Sequence, residues 1–344
     1  MRASILLAGL AALSSSAASR PGKKRLIIDT DMLNFDDDPL AIGLANIFQA
    51  WGQVEFIGVM SSINSRFAPP AIDAINTFYG HPDIPIALRK PVNNLTQWPQ
   101  YPQYGDYLTG LTYNFTQDIQ DGVYTPDPVS SYRYLLSTSA DSSVTIAAIG
   151  FFGNLYGVLQ SGGDAISPRT GAELLAAKVG ELVVQADERG RSFNTGWREG
   201  AEAAAVLNWW PGRATFAGDA VAGATVLGRR LTAEPDPARH PLAYALRRSI
   251  GPAAAHPVWD AVAVYYAVCG AGDVFAPRYP RGGRVALNAS AYATWAEPAP
   301  AAPPGPHNAL DFRLPNDTFA ARLEDTLLWE PGSRVPRERT WCKN

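Results

Sequence analysis

Cysteine is almost absent: 344 residues hold only two, Cys269 and Cys342. A disulfide-dense scaffold is therefore excluded, and the fold must rest on an apolar core. Neither cysteine has an adjacent His or Asp that would make it a nucleophile. An excess of one charge is also missing, with 29 Lys and Arg against 32 Asp and Glu and a formal net charge of −3. A phosphate backbone calls for a basic stripe and a pI above about 9, whereas the sequence pI is about 5.8. No apolar run approaches the roughly 18 residues that span a bilayer. Neither nucleic acid nor membrane is thus expected as a partner. Charged residues make up 18% and hydrophobic residues 47% of the chain, a globular composition rather than a disordered one. There is no internal repeat and no shift in composition that would mark a second independent domain.

The chain opens on what reads as an address. Arg2 precedes a short apolar run from Ile5 to Leu13, and small residues follow from Ser14 to Ser19. These are the three parts of a secretory signal. The expectation is a leader over 1–19, a mature single domain over 20–344, and a secreted, extracellular protein. Four acceptor sequons, at Asn94, Asn114, Asn288 and Asn316, agree with export. In an oxidising compartment Cys269 and Cys342 have the opportunity to pair and fasten the C-terminus to the preceding helix; two free thiols are the other reading.

Apolar runs and helical spacings then alternate. Leu26-Ile27-Ile28, Val54 to Met60, Ile84 to Ala87, Val144 to Ile149 and Glu181 to Val184 read as strands. Helices are expected after Asp38, over Ala71 to Tyr79, from about Asn154, and over Gly200 to Trp209. This alternation predicts an α/β fold around an open, mostly parallel, Rossmann-like sheet with helices on both faces. Residues 93–126, rich in Asn, Gln, Tyr, Pro and Gly without a sustained period, read as a long surface insertion. Residues 297–306, dominated by Pro and Ala, suit a stiff loop.

Chemistry concentrates just after the first strand. Asp29, Asp31, Asp36, Asp37 and Asp38 place five carboxylates within ten positions, where a parallel strand gives way to a helix. Asp38 before Pro39 fits an N-cap with proline at the first helical position, and helix capping accounts for one or two of the acids. It does not account for Asp29 and Asp31 at the end of a buried strand. Like charges packed together raise one another's pKa unless a cation neutralises them, and a hard, oxygen-seeking ion such as Ca²⁺ or Mg²⁺ answers that need.

Asp29-Thr30-Asp31 followed by Asp37-Asp38 resembles the N-terminal signature of the inosine–uridine-preferring nucleoside hydrolase family. Three later segments extend the resemblance in family order. Gly150-Phe151-Phe152-Gly153-Asn154-Leu155 resembles the loop after a central strand, Ser192-Phe193-Asn194 the family's Glu-Phe-Asn, and Trp259-Asp260 with Ala263-Val264 the late helix start. The resemblance implies a nucleoside hydrolase-like fold and a Ca²⁺-dependent N-ribohydrolase acting on a small-molecule ribonucleoside. It implies Asp31, Asp38, the main-chain carbonyl of Gly153 and Asp260 as metal ligands. Asp31 is implied as general base, Asp37 on a ribose hydroxyl, Asn194 on the 5′ side of the sugar, and Asn64 on the diol. Asp29 reads as structural.

The chain also departs from that pattern. Ser192 stands where an acidic residue often binds the 5′-hydroxyl. Trp259 stands where several members carry a histidine proposed to protonate the leaving base; tryptophan has no such proton to give but can stack on a base. His256 and His240 are unplaced by the sequence. Two other readings therefore stand: a non-catalytic secreted nucleoside- or ribose-binding protein that retains the calcium site, and a Mg²⁺ phosphatase with Asp29 as nucleophile. Whether the chain forms a homo-oligomer is open.

Overall fold

A computed structural model describes residues 23–335 and 342; the expected leader at 1–19 lies outside the described residues. The strands are β1 Arg25–Thr30, β2 Glu55–Ser61, β3 Ile86–Leu88, β4 Val144–Ala148, β5 Val179–Val184, β6 Arg213–Phe216, β7 Val226–Leu227, β8 His256–Pro257, β9 Phe275–Pro277, β10 Arg284–Leu287, β11 Ala293–Ala296 and β12 His307–Phe312. Eight of them form one sheet in the order β3-β2-β1-β4-β5-β6-β12-β9. All neighbours in it run parallel except the edge strand β9, which is antiparallel to β12. The remaining strands pair as two small antiparallel ribbons, β7 with β8 and β10 with β11.

The central strands are apolar on both faces because both faces are covered. Leu26 and Ile28 of β1 enter one hydrophobic cluster and Ile27 the other. On the first face the Asp37–Ala50 helix is buried from Asp37 through Phe48. It packs against the Trp259–Cys269 helix, which is buried from Asp260 through Cys269. Helices apolar on all sides belong to such a core. Among the described residues, no helix is long and apolar enough to cross a membrane.

The strand order positions the site. Successive strands β1, β2 and β3 extend the sheet one way, and the chain then returns to add β4, β5 and β6 on the other side of β1. Outside the carboxyl ends of β1 and β4 this reversal leaves a crevice, the usual ligand position in open α/β sheets. Residues 29–38 emerge there.

Several sequence expectations change in detail. The first helix starts at Asp37, so Asp38 lies inside its first turn and is not the N-cap; its carboxylate accepts a hydrogen bond from Thr30 Oγ1 instead. Residues 93–126 are not merely a surface insertion. They include a helix, Leu108–Asn114, and bury Trp98, Tyr107, Leu108 and Leu111 in the main core. Their buried positions are irregularly spaced, which is why no period shows. The stretch is clipped down by Asn34, itself fully buried. Asn34 Nδ2 donates to the carbonyls of Tyr101 (3.2 Å) and Tyr104 (3.1 Å), and its Oδ1 accepts from the Trp98 N–H (3.0 Å). Cys269 and Cys342 form a disulfide. The four sequon asparagines, Asn94, Asn114, Asn288 and Asn316, are all exposed.

Candidate active site

Two helix N-termini converge on the end of β1. The Asp37–Ala50 helix brings Asp37 and Asp38 in its first turn, and the Trp259–Cys269 helix brings Asp260. The carboxylate oxygens of these three residues lie within 4.8 Å of one another, and all three residues are buried. The Asp260 N–H donates to Asp37 Oδ2 at 3.4 Å, tying one helix start to the other. Asp31 lies beside them, 3% exposed, and its Oδ2 has no hydrogen-bond partner. Helix dipoles favour negative charge here, but only by about 0.3–1 kcal/mol each.

That is too little to keep four buried carboxylates ionised. Burial, and then the charge of Asp37, pushes the Asp31 carboxyl well above the usual carboxylate range. Burial followed by neighbouring aspartates does the same to Asp38 and Asp260. Asp37 rises to about 7, through burial and the adjacent Asp36. An all-oxygen, anionic donor set with an unpartnered oxygen fits a hard divalent cation, whose charge would reverse those shifts. The backbone is tight around the cluster: a side chain at Gly150, just past β4, would sit 2.5 Å from the Asp31 nitrogen. Only glycine lets the two chain segments meet so closely.

Asp29 takes no part. Its Oδ2 accepts from Tyr132 OH (2.9 Å) and its Oδ1 from Asn154 Nδ2 (3.0 Å). It is structural, as expected, held by two side-chain donors. A fully bonded carboxylate away from the cavity wall is not placed to be a phosphatase nucleophile.

Above the aspartates opens a cavity of about 330 Å³. Asp31, Asp37, Asp38 and Asp260 line its floor. Phe35, Tyr101, Tyr104, Phe193 and Trp259 supply aromatic walls, and Gln185, Asp187, Asp219 and His256 add polar groups. Phe35 makes edge contacts with Tyr101, Tyr104 and Phe193 at ring separations of 5.0, 5.3 and 5.4 Å. The Trp259 indole is held by a 2.8 Å bond from Nε1 to Asp219 Oδ1. Asn194 is pinned where its Nδ2 donates to the Ile149 carbonyl and to Gln185 Oε1, both at 2.8 Å.

No protein-family model and no curated protein matches the chain. Solved structures do. A plant nucleoside hydrolase, PpNRh1, superposes with a TM-score of 0.61 at 17% identity, over 90% of this chain and 99% of that one. An inosine-uridine preferring nucleoside hydrolase from Bacillus anthracis gives a TM-score of 0.61 at 12% identity, over 88% and 99%. The type III effector protein XopQ complexed with adenosine diphosphate ribose also gives 0.61, at 13% identity over 89% and 93%. The chain has the nucleoside hydrolase fold.

Within that fold, most of the residues picked from the sequence meet at one place. Asp31, Asp37, Asp38, Asn194, Trp259 and Asp260 all line the cavity. Gly153 and Asn64 do not. Gly153 opens the Gly153–Gln160 helix and donates its N–H to Glu199 Oε2 (2.6 Å). Asn64 donates from Nδ2 to the Pro91 carbonyl at 2.6 Å. The trio of acids whose oxygens lie within 4.8 Å of one another contains Asp37 where Asp31 was expected. Sequence reasoning missed the aromatic wall because Tyr101 and Tyr104 belong to the aperiodic 93–126 stretch. Their only signal was the density of tyrosine there.

Proposed function

We propose that the protein is a secreted N-ribohydrolase that cleaves the N-glycosidic bond of ribonucleosides to ribose and free base, with Ca²⁺ at the aspartate cluster. One grouping carries the reading. Asp37, Asp38 and Asp260 lie within 4.8 Å, with an unpartnered Asp31 oxygen alongside, under an aromatic-walled cavity. Proteins sharing the fold support the substrate class: several are named nucleoside hydrolases, one of them purine-preferring, and XopQ was solved with adenosine diphosphate ribose. Nucleosides and adenosine diphosphate ribose have a ribosyl group in common.

Asp31, Asp38 and Asp260 are the proposed donors to the cation, and Asp37, grouped with Asp38 and Asp260 within 4.8 Å, is the fourth carboxylate of the cluster. Gly153 and Asn64 are not among the residues that line the cavity and are not included in the proposed set. When bound, a divalent ion acidifies a coordinated water and holds oxygen ligands in place. Asp31 accepts the proton of the attacking water on its unpartnered oxygen. Asp37 accepts a hydrogen bond from a ribose hydroxyl. Asn194, fixed by Ile149 and Gln185, meets the 5′ side, and the Trp259 indole offers a flat surface to the base. As the C1′–N bond lengthens, its electron pair leaves with the base and positive charge grows on the sugar ring. The surrounding carboxylates are the electrostatic complement of that charge. The expected leader, the exposed sequons and the disulfide support export.

One observation favours a non-catalytic binding protein instead: the Trp259 indole N–H is committed to Asp219 and supplies no proton to a leaving base. Release of reducing sugar from purine and pyrimidine ribonucleosides separates the readings. Chelator-sensitive release is expected, and loss of both calcium and turnover in Asp38→Ala/Asp260→Ala. Full activity of that double variant overturns the hydrolase assignment; calcium and nucleoside binding without turnover establishes the binding protein.

A further inference from the structure

Three segments of the chain bring an acid, an imidazole and a phenol into line beside the aspartate floor. His256 Nδ1 lies 3.0 Å from Asp36 Oδ1, and His256 Nε2 lies 3.3 Å from Tyr104 OH. Asp36 is completely buried behind the cavity, whereas His256 and Tyr104 both line it. Neither oxygen of Asp36 has a hydrogen-bond partner among the described residues, and neither does His256 Nδ1, so the 3.0 Å contact is an ion pair rather than an aligned hydrogen bond. The imidazole is thus its close cationic counterpart.

Each member is fixed independently. Tyr104 is anchored through its carbonyl, which accepts from Asn34 Nδ2 (3.1 Å) and Gln97 Nε2 (2.9 Å). His256 is paired with Leu227 in the β7–β8 ribbon. Its ring also meets the Trp259 indole edge-on at 5.5 Å. Asp36 immediately precedes the Asp37–Ala50 helix. The phenol therefore stands at the aromatic wall, with the His256 ring between it and the Trp259 indole.

We propose that Tyr104 is the proton donor to the departing base, with His256 and Asp36 as positioning residues that replenish it. This rests on the ribohydrolase reading above. The C1′–N bond breaks, and its electron pair passes to the base nitrogen. That nitrogen takes the Tyr104 hydroxyl proton. The phenolic oxygen takes the Nε2 proton of a His256 imidazolium, leaving neutral imidazole with Nδ1–H toward Asp36. The water that attacks C1′ loses its proton to Asp31, so one proton is taken up and one is given.

The electrostatics agree. Burial, followed by the charges of Asp36 and Asp37, raises the Tyr104 pKa, so the phenol keeps its proton. Burial alone would lower His256, but the Asp36 carboxylate, with Asp37 beyond it, more than offsets this and favours the imidazolium. Trp259 has no proton to offer, so the acid comes from a different part of the wall.

The test compares two leaving groups on one enzyme. A purine or pyrimidine nucleoside needs its base protonated; 4-nitrophenyl β-ribofuranoside departs as a stable phenolate and does not. In Tyr104→Phe the ratio of kcat/KM for the nitrophenyl riboside to that for the nucleoside is expected to rise about a hundredfold, the low end of general-acid contributions. His256→Gln moves the ratio in the same direction by a smaller factor. Because the ratio is taken on one sample, it does not depend on the fraction folded. An unchanged ratio in both variants overturns the proposal while leaving the ribohydrolase intact. A wild-type protein that hydrolyses neither substrate overturns the ribohydrolase reading itself.

Discussion

Asp29 and Asp31 are two residues apart at the end of β1, both are buried, and they are treated in opposite ways. Asp29 has each oxygen matched to a donor, one from Tyr132 and one from Asn154. Asp31 keeps an oxygen with no partner and lies beside three more aspartates on the cavity floor. In a continuing strand the two would share a face, but β1 ends at Thr30 and Asp31 leaves the sheet. A buried carboxylate with all its bonds made is architecture. One left unsatisfied among like charges is a place prepared for something that is not protein.

The sharpest way to break that contrast is to neutralise each acid in turn. Asp31→Asn is expected to reduce kcat by about 10²–10⁴, the span of a general base, with thermal stability held or raised because one of four like charges is gone. Asp29→Ala reverses the pattern. Leaving Tyr132 and Asn154 unpaired in the core is expected to cost about 1–3 kcal/mol, with turnover per folded molecule retained. Reducing-sugar kinetics and denaturant melts on the same two samples check both. A stable but inactive Asp29→Ala protein would erase the distinction.

A smaller effect comes from pH. A carboxyl whose pKa is raised by folding holds its proton more tightly in the native state than in the unfolded one. The native state therefore loses stability as pH rises from the unfolded value of about 3.8 toward the folded one. Asp37 releases its proton at about 7, and Asp31, Asp38 and Asp260 are also raised well above the usual carboxylate range, so the window runs through neutral pH. His240 and His307 act the other way. Burial lowers both to about 4, so their contribution is present above about 6.5 and is lost as pH falls toward 4. The two histidines are common to chelated and calcium-loaded protein, so the difference between those states isolates the aspartates. The gain in melting temperature from added Ca²⁺ is expected to grow from pH 4 to pH 7, because binding requires the deprotonated cluster. A pH-independent gain would place the cation elsewhere.

The mildest expectation concerns Asn64. Its side chain is occupied by the Pro91 carbonyl and lies off the cavity wall. Asn64→Ala is expected to shift the nucleoside KM less than about twofold, in keeping with surface substitutions worth under about 0.5 kcal/mol. A tenfold rise would mean that Asn64 reaches the sugar and that the wall extends past Asp31.

Much of the fold was legible because its central strands are buried on both faces. Leu26-Ile27-Ile28 and Val144 to Ile149 are apolar without alternation, and each observed strand lies within one or two residues of the expected one. The late strands were not. Arg213–Phe216 mixes a charge and a threonine into four residues, and His307–Phe312 carries His, Asn and Asp, so neither reads as a core strand. Their burial comes from neighbours in the sheet rather than from composition. In the site, the carboxylates stood out because five acids in ten positions conflict with a buried strand end. Tyr104 and His256 did not, since a tyrosine in a loop and a lone histidine carry no pattern until the fold lays one against the other.

The disulfide makes part of the chain a ring. Cys269 and Cys342 are 73 residues apart, and the loop they close contains β9 through β12 and the Asn316–Leu327 helix. The proline-rich stretch 297–306, which has neither helix nor strand, lies within that ring. A protease that cuts there opens a circle rather than severing a line, and both ends stay joined to the molecule. The helix that ends at Cys269 begins beside Asp260, so the residue at the cavity floor stays tethered to the chain's far end after such a cut. For a protein exported as proposed, the ring separates surviving a nick from falling apart.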